Sequence, residues 1–421
     1  MLLGCIADDF TGATDLAGIL VRNGMRTVQS IGIPAAGNID ADAVVIALKS
    51  RTAPVNEAIA ESLAALEYLQ AAGAQQFFFK YCSTFDSTAE GNIGPVADAL
   101  MRELDTAFTY FCPALPENGR TLVHGHLFVG GIPLHESGMQ DHPLTPMTDA
   151  NLVRVLGAQS SDAVGLIDYT TVQAGARSLA EAFAAHETQG PRFAIVDALQ
   201  DSDLTTIAEV SRNLKLITGG SGIAIGLPQN FRDAGLLGDS PADILPAVDG
   251  FEAVVSGSCS LATQGQVKAM AARDEHFFVD PLRLADGADL VSEAIDWATS
   301  RVGKGPILAY ATSTRETVAQ TQSRLGVAEA GALIETALAN IAAGWVDLGV
   351  RRLVVAGGET SGAVVNRLGV DALRIGPEIA PGVPWTVSLA DTPVALALKS
   401  GNFGGPDFFA DAFARWATLR H

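Results

Sequence analysis

The stretch CIADDFTGATDLAG, Cys5 to Gly18, sets Asp8 and Asp9 side by side where an apolar run stops and a Gly/Thr-rich helix starts. Carboxylates at that place can cap the helix, or they can hold a ligand's hydroxyls and take a proton from one of them. As neighbours on an extended segment they point opposite ways, so one is expected to face a ligand while the other caps the helix near Thr11. Two further strand ends carry polar groups. Lys49-Ser50-Arg51 follows ADAVVIAL, and Lys80 ends QQFFFK, ahead of Ser83, Thr84, Asp86, Ser87 and Thr88. Acids that accept hydrogen bonds from hydroxyls, beside Arg and Lys that hold a carboxylate, describe a pocket for a small sugar acid. A D-x-D phosphotransferase motif fails here, because Phe10 and Thr11 stand two positions beyond the aspartates.

A second set of chemistry-bearing residues lies near the other end. VVSGSCSLATQGQV holds Ser256, Gly257 and Ser258; LVVAGGETSGAVVNRL holds Gly357, Gly358, Glu359 and Thr360; LALKSGNFGGPDFF holds Lys399 and Gly401. Glycine lets backbone approach a ligand closely, and the free N–H groups and dipole of a helix start favour phosphate. Three such loops in one half of a chain describe a nucleotide site. No G-x-x-x-x-G-K-[ST] occurs, which excludes a P-loop enzyme. TGGSGIAIG, 218–226, misses the dinucleotide spacing by one residue, and the acid about twenty residues on, Asp243, falls in a Pro/Asp-rich stretch rather than on a strand. It reads as a closely packed helix start. His124-x-His126 is a possible metal pair, but no suitably spaced carboxylate or cysteine completes it, so these read as loop histidines and the metal ligands stay unknown.

The elements that must position these groups follow from the apolar runs. In the front half, strands LLGCIA, ADAVVIAL and QQFFFKYC alternate with helices over about 11–23, 55–72 and from 93. The segment 112–149, rich in Pro and Gly and holding four of the seven histidines, shows little periodicity and reads as a long loop. AVGLIDY, RFAIVDA and LKLITGGSG resume the alternation. LLGDSPADILPAVDG, 236–250, reads as a linker, followed by strands FEAVVSGS, GPILAYATS, RRLVVAGG and PWTVSLAD with helices near 262–273, 288–301, 329–348 and 361–368. Alternation with short loops implies an α/β chain of two domains, 1–235 and 251–421, each a mostly parallel sheet flanked by helices. Ligands of such sheets collect at the carboxyl ends of the strands, where both sets of residues fall.

With 421 residues, two domains are the default. A formal charge of −20, from 47 acidic and 27 basic residues without a Lys/Arg run, argues against nucleic-acid and membrane partners. Four scattered cysteines without C-x-x-C, and no secretory or bilayer-spanning segment, indicate reduced thiols and a cytoplasmic protein. The 48% apolar content leaves material for a homo-oligomer interface.

Taken together, IADDFTGATDLAG, FFFKYCSTFDSTAEGNIGP, HPLTPMTDANLVRVL, TGGSGIAIGLP, VSGSCS, GGETSGAVV and KSGNFG resemble the four-carbon acid sugar kinase family nearly end to end. KYCSTFDSTAEGNIG is similar to the 3-oxo-tetronate 4-kinases of that family, whereas threonate and erythronate kinases tend to carry a K-x-D-S-T-x-R-G-N version there. The resemblance implies an N-terminal sugar-acid domain and a C-terminal ATP domain, with nucleotide contacts on Ser258, on Gly357 to Thr360 and on Gly401. It implies ATP with Mg²⁺ as the phosphoryl source and the 4-hydroxyl of a 3-oxo-tetronate as acceptor. Asp8 or Asp9 would act on that hydroxyl, Arg51 and Lys80 would anchor the carboxylate, and closure about 236–250 would expel water. A D-threonate or D-erythronate kinase, and a non-catalytic sugar-acid sensor, are the competing expectations.

Overall fold

LGCIA, Leu3–Ala7, is buried along its whole length, as a central parallel strand with helices on both faces must be. The computed structural model describes residues 1–34, 39–142, 144–312, 323 and 326–419. The chain divides into two compact units, Met1–Ala242 and Asp243–His421, and the division falls within 236–250, which carries no helix or strand.

In the first unit the strands are β1 (Leu3–Ala7), β2 (Thr27–Ile31), β3 (Ala43–Ala47), β4 (Gln76–Lys80), β5 (Thr109–Cys112), three short strands β6 (Arg120–Val123), β7 (His126–Val129) and β8 (Ile132–Pro133), then β9 (Val164–Ile167), β10 (Phe193–Val196) and β11 (Leu216–Gly219). Eight of them form one parallel sheet in the order β2-β3-β1-β4-β11-β5-β10-β9. After β1 the chain builds β2 and β3 on one side, then crosses to place β4 on the other. That reversal opens a crevice beyond the ends of β3, β1 and β4. In register, Ala7 lies between Ala47 and Lys80, so the residues following each strand meet there.

The second unit holds β12 (Phe251–Ser256), β13 (Glu275–Phe278), β14 (Ile307–Tyr310), β15 (Val350–Ala356), β16 (Ala372–Ala380), β17 (Val383–Ser388) and β18 (Ala395–Lys399). Their order is β13-β14-β12-β15-β18-β17-β16, with the first five parallel and β17 antiparallel to both neighbours. The C-terminal helix Phe408–Ala417 buries Phe408, Phe409, Phe413 and Trp416 against Trp385 and the sheet. Both units are α/β with mostly parallel sheets and flanking helices.

Three expectations need correction. The segment 112–149 is not one irregular loop: β6, β7 and β8 form an antiparallel sheet whose turns use His124, at φ 49, and Gly125, Gly130 and Gly131. Runs of only two to four residues broken by glycine hide that pattern. β2 was not foreseen because Thr27, Gln29 and Ser30 interrupt its apolar run, yet all three are buried, and Gln29 Oε1 accepts from Thr14 Oγ1 at 2.8 Å. β18 lies inside the stretch read as a glycine loop. Of GPILAYATS, the described strand is Ile307–Tyr310, and Ser313 lies outside the described residues.

Candidate active site

The helix Phe10–Arg22 begins directly after the paired aspartates. Asp9 is its N-cap, accepting from Gly12 N at 3.0 Å. Asp8 faces inward and is nearly buried. One aspartate caps the helix, as expected, but the two do not point opposite ways, because Arg51 reaches both carboxylates. Its Nε donates to Asp8 Oδ2 (2.9 Å), and its Nη2 donates to Asp8 Oδ1 (2.8 Å) and Asp9 Oδ1 (2.7 Å). Asp9 keeps extended dihedrals (φ −150°, ψ 162°), but the strand itself ends at Ala7, and the long Arg51 side chain reaches both carboxylates with one guanidinium.

Asp86 joins from the loop after β4, with Oδ2 3.6 Å from Arg51 Nη1 and Oδ1 accepting from Thr84 Oγ1 at 2.6 Å. Thr84 Oγ1 also lies 3.0 Å from Cys82 Sγ. The turn that presents Asp86 has positive φ at two successive non-glycine residues, Phe85 (64°) and Asp86 (24°). Such backbone costs about 1–3 kcal/mol per residue and persists only where surroundings over-determine it. Here the fully buried Phe85 ring packs edge-on against Tyr81, with centroids 5.5 Å apart.

Lys80 is 2% exposed, and its side chain makes no hydrogen bond or ion pair among the described residues; a Cβ on Gly12 would press against its Nζ and against Asp9. Ser50 is buried, Ser83 is half-buried, and Lys49 is exposed; among the described residues none of the three makes a side-chain hydrogen bond or ion pair. The structure therefore brings together Asp8, Asp9, Ser50, Arg51, Lys80, Thr84 and Asp86, and leaves Lys49 outside the hydrogen-bonded cluster. Burial raises the proton affinity of the Asp8 carboxyl, against the pull of Arg51. Burial works against the Arg51 charge too, but Asp8 outweighs it and holds the guanidinium firmly protonated. Cys82 is pushed up to about 11 by burial, with Asp86 adding to it, so its thiol is not a nucleophile at neutral pH.

Asn92 has a part that the sequence did not reveal. Its Nδ2 donates to the carbonyls of Ser50 (2.7 Å) and Ala53 (2.8 Å), fixing the loop that carries Arg51. The glycines of TGGSG pack tightly: a Cβ at Gly219, Gly220 or Gly222 would press on the carbonyls of Cys112, Pro113 and Ala114. Ser221 Oγ donates to Asp15, tying this turn to the first helix. Asp197, fully buried, accepts from the backbone N–H groups of His124 (2.6 Å), Gly125 (2.9 Å) and Tyr169 (2.9 Å), so that part of the histidine segment is anchored by a carboxylate. Among the described residues no group of three or more His, Cys, Asp or Glu is placed to hold a metal.

In the second unit the loops after β12, β15 and β18 interlock. A Cβ on Gly257 would overlap Thr360 Oγ1, and one on Gly401 would overlap Ser258 Oγ, so these glycines let the loops pack directly on one another. The amides of Gly257 and Ser258 donate to the Ala356 carbonyl, and that of Gly357 donates to Lys399 O. What stays free is the start of the helix Gly358–Arg367, which has no side-chain cap. A Cβ on Gly358 would meet nothing within 4 Å, so the space beside that helix end is open. Glu359 is exposed in its first turn, and Thr360 is buried. Ser256 is fully buried with its hydroxyl 2.8 Å from Thr312 Oγ1; it shapes the loop rather than lining it.

Residues 3–227 match the model of a sugar-binding N-terminal domain, and residues 253–409 match that of a nucleotide-binding C-terminal domain. A Cupriavidus necator protein named 3-oxo-tetronate kinase is 60% identical over 98% of this chain and 96% of its own. The chain belongs to the four-carbon acid sugar kinase family. Within that family it groups with the proteins named 3-oxo-tetronate kinase, including one from Pseudomonas fluorescens at 58% identity over 99% of this chain and 97% of that protein. The crystal structure of a Haemophilus influenzae protein is similar throughout, with a TM-score of 0.88 and 45% identity over 98% of this chain and all of the other. The chain is a kinase of this family, and its two matched regions carry the sugar-binding and nucleotide-binding descriptions. No described helix is long and apolar enough to cross a membrane.

Proposed function

We propose that this chain transfers the γ-phosphoryl group of ATP to the 4-hydroxyl of a 3-oxo-tetronate, 3-dehydro-L-erythronate or its D enantiomer, releasing ADP and the 4-phosphate. The observation that carries the reading is the cluster of Asp8, Asp86 and Lys80, all buried, with the half-buried Asp9 and Arg51, at the ends of three adjacent strands in the region matched to a sugar-binding domain. Arg51 is committed to Asp8 and Asp9, so Lys80 is the cation whose charge is unclaimed, and it takes the substrate carboxylate. Asp9 Oδ2 accepts no hydrogen bond among the described residues and is more exposed than Asp8. It orients the 4-hydroxyl and receives its proton, while Asp8 holds the guanidinium behind it. Thr84 and Ser83 supply short hydrogen-bonding groups to the remaining oxygens.

In the second domain the uncapped start of the helix Gly358–Arg367 and the open space at Gly358 receive the phosphates. Glu359 is exposed in the first turn of that helix, and it interacts with Glu335, whose proton affinity is raised by burial and then by Glu359. It would hold Mg²⁺ together with phosphate oxygens and water, and the ion when bound neutralises charge between those oxygens. Residues 236–250 act as the hinge in this reading.

A screen of four-carbon sugar acids with an ADP-release assay tests the substrate, and ³¹P NMR of the product tests the position. The 3-oxo acids are expected to turn over best, at C4. Threonate or erythronate outperforming them would overturn the substrate assignment. Asp9→Asn should lower kcat by roughly 10²–10⁴-fold, the usual range for a positioned base.

A further inference from the structure

Lys399 ends β18 beneath the glycine loops and is 1% exposed. Its Nζ donates to Thr263 Oγ1 (2.9 Å) and to the Gly401 carbonyl (3.1 Å), with the Phe408 ring 5.9 Å away. No carboxylate pairs with it among the described residues. Neither Thr263 on the helix Leu261–Ala271 nor Phe408 on the C-terminal helix titrates, and burial alone lowers the Lys399 pKa to about 8. A buried ammonium without a counter-ion is unfavourable unless an anion arrives.

The Gly401 carbonyl also accepts from Ser260 Oγ (2.6 Å) and Thr263 Oγ1 (2.7 Å). Three donors therefore hold one carbonyl inward. A planar trans peptide sets N–H opposite C=O, so the amide of the exposed Asn402 is turned outward. It has no acceptor among the described residues.

We propose that Lys399 is a positioning residue for the nucleotide phosphates: its buried charge complements the anion that ATP brings, and its hold on Gly401 aims the Asn402 amide at that anion. This rests on the reading of the second domain as the ATP site. Lys399 acts mainly through the loop it grips, and no role in proton transfer to substrate is assigned to it.

The test is steady-state kinetics of the full chain with MgATP. Lys399→Met should raise KM for ATP by roughly 10–100-fold, the range for hydrogen bonds to charged groups, with the sugar-acid KM unchanged. Lys399→Arg should recover much of that loss. Thr263→Val, which breaks the link between Lys399 and the loop, should raise the ATP KM several-fold and serves if Lys399→Met folds poorly. Calorimetry at pH 8 in buffers of different ionisation enthalpy should show proton uptake on ATP binding to the wild type, lost in Lys399→Met. Wild-type saturation by ATP with both variants unchanged would overturn the role of Lys399 alone. A wild type that neither binds nor uses ATP would overturn the reading beneath it.

Discussion

Arg51→Met is the perturbation with the largest expected effect. The guanidinium holds Asp8 by two bonds and Asp9 by one, and faces Asp86. Without it, three carboxylates share the crevice with Lys80 alone, and the cluster passes from one net negative charge to two. Removing one partner of a buried pair costs about 3–5 kcal/mol, because the remaining charge is left uncompensated. For a domain of this size each kcal/mol lowers Tm by roughly 2–4 °C, so a loss of about 6–20 °C is expected at pH 8. The pH dependence has a definite sign. Burial already raises the folded-state pKa of Asp8, and loss of Arg51 raises it further. Such a group supports the fold when protonated, below its unfolded pKa, and that support disappears as pH rises through the folded value. The Tm gap between wild type and variant should therefore be small at pH 5 and widen towards pH 8, followed by circular dichroism. Asp8→Asn combined with Arg51→Met should recover most of the lost stability. A gap independent of pH, or no recovery in the double variant, would refute the ion-pair account.

Two glycine replacements separate loop packing from ligand space. Gly257→Ala forces a Cβ onto Thr360 Oγ1 and should lower both Tm and ATP affinity, whereas Gly358→Ala should leave Tm unchanged and raise only the ATP KM. A normal ATP KM in Gly358→Ala would mean that the phosphates lie elsewhere. Asn92→Ala removes the bonds to the Ser50 and Ala53 carbonyls, and should cost about 1–3 kcal/mol of stability and raise KM for the sugar acid but not for ATP. Equal effects on both KM values would show a general loss of order instead. Small-angle scattering should show compaction only when both ligands are added; identical curves would count against a hinge at 236–250.

The strands that carry the site were legible because each is a short apolar run ending in charge: LLGCIA into Asp8-Asp9, ADAVVIAL into Lys49 to Arg51, QQFFFK into Asp86. Alternation also placed the helices 55–71, 261–271 and 327–347 within a few residues. What escaped depends on distance in the chain. That Arg51 binds both aspartates is decided by the register of β3 against β1 and by how far the strand runs before the helix at Phe10, neither of which composition encodes. Asn92 and Lys399 look like ordinary loop and strand-end residues until the fold brings Ser50 and Thr263 against them. The glycines at 257 and 401 read as places where backbone nears a ligand, and the structure shows that other loops also crowd them. Sequence marks that a close approach occurs; it does not name the neighbour.

The left-handed corner at Phe85 and Asp86 has an evolutionary consequence. Because the ring of residue 85 is wedged against Tyr81, and Tyr81 in turn stacks on Phe111, the turn that presents Asp86 cannot be reshaped by exchanging one surface side chain. The shape of this corner and the interior volume are thus tied together, so a change at residue 85 is expected to need compensation at 81 or 111. Directed libraries confined to the crevice lining alone would then sample mostly dead ends.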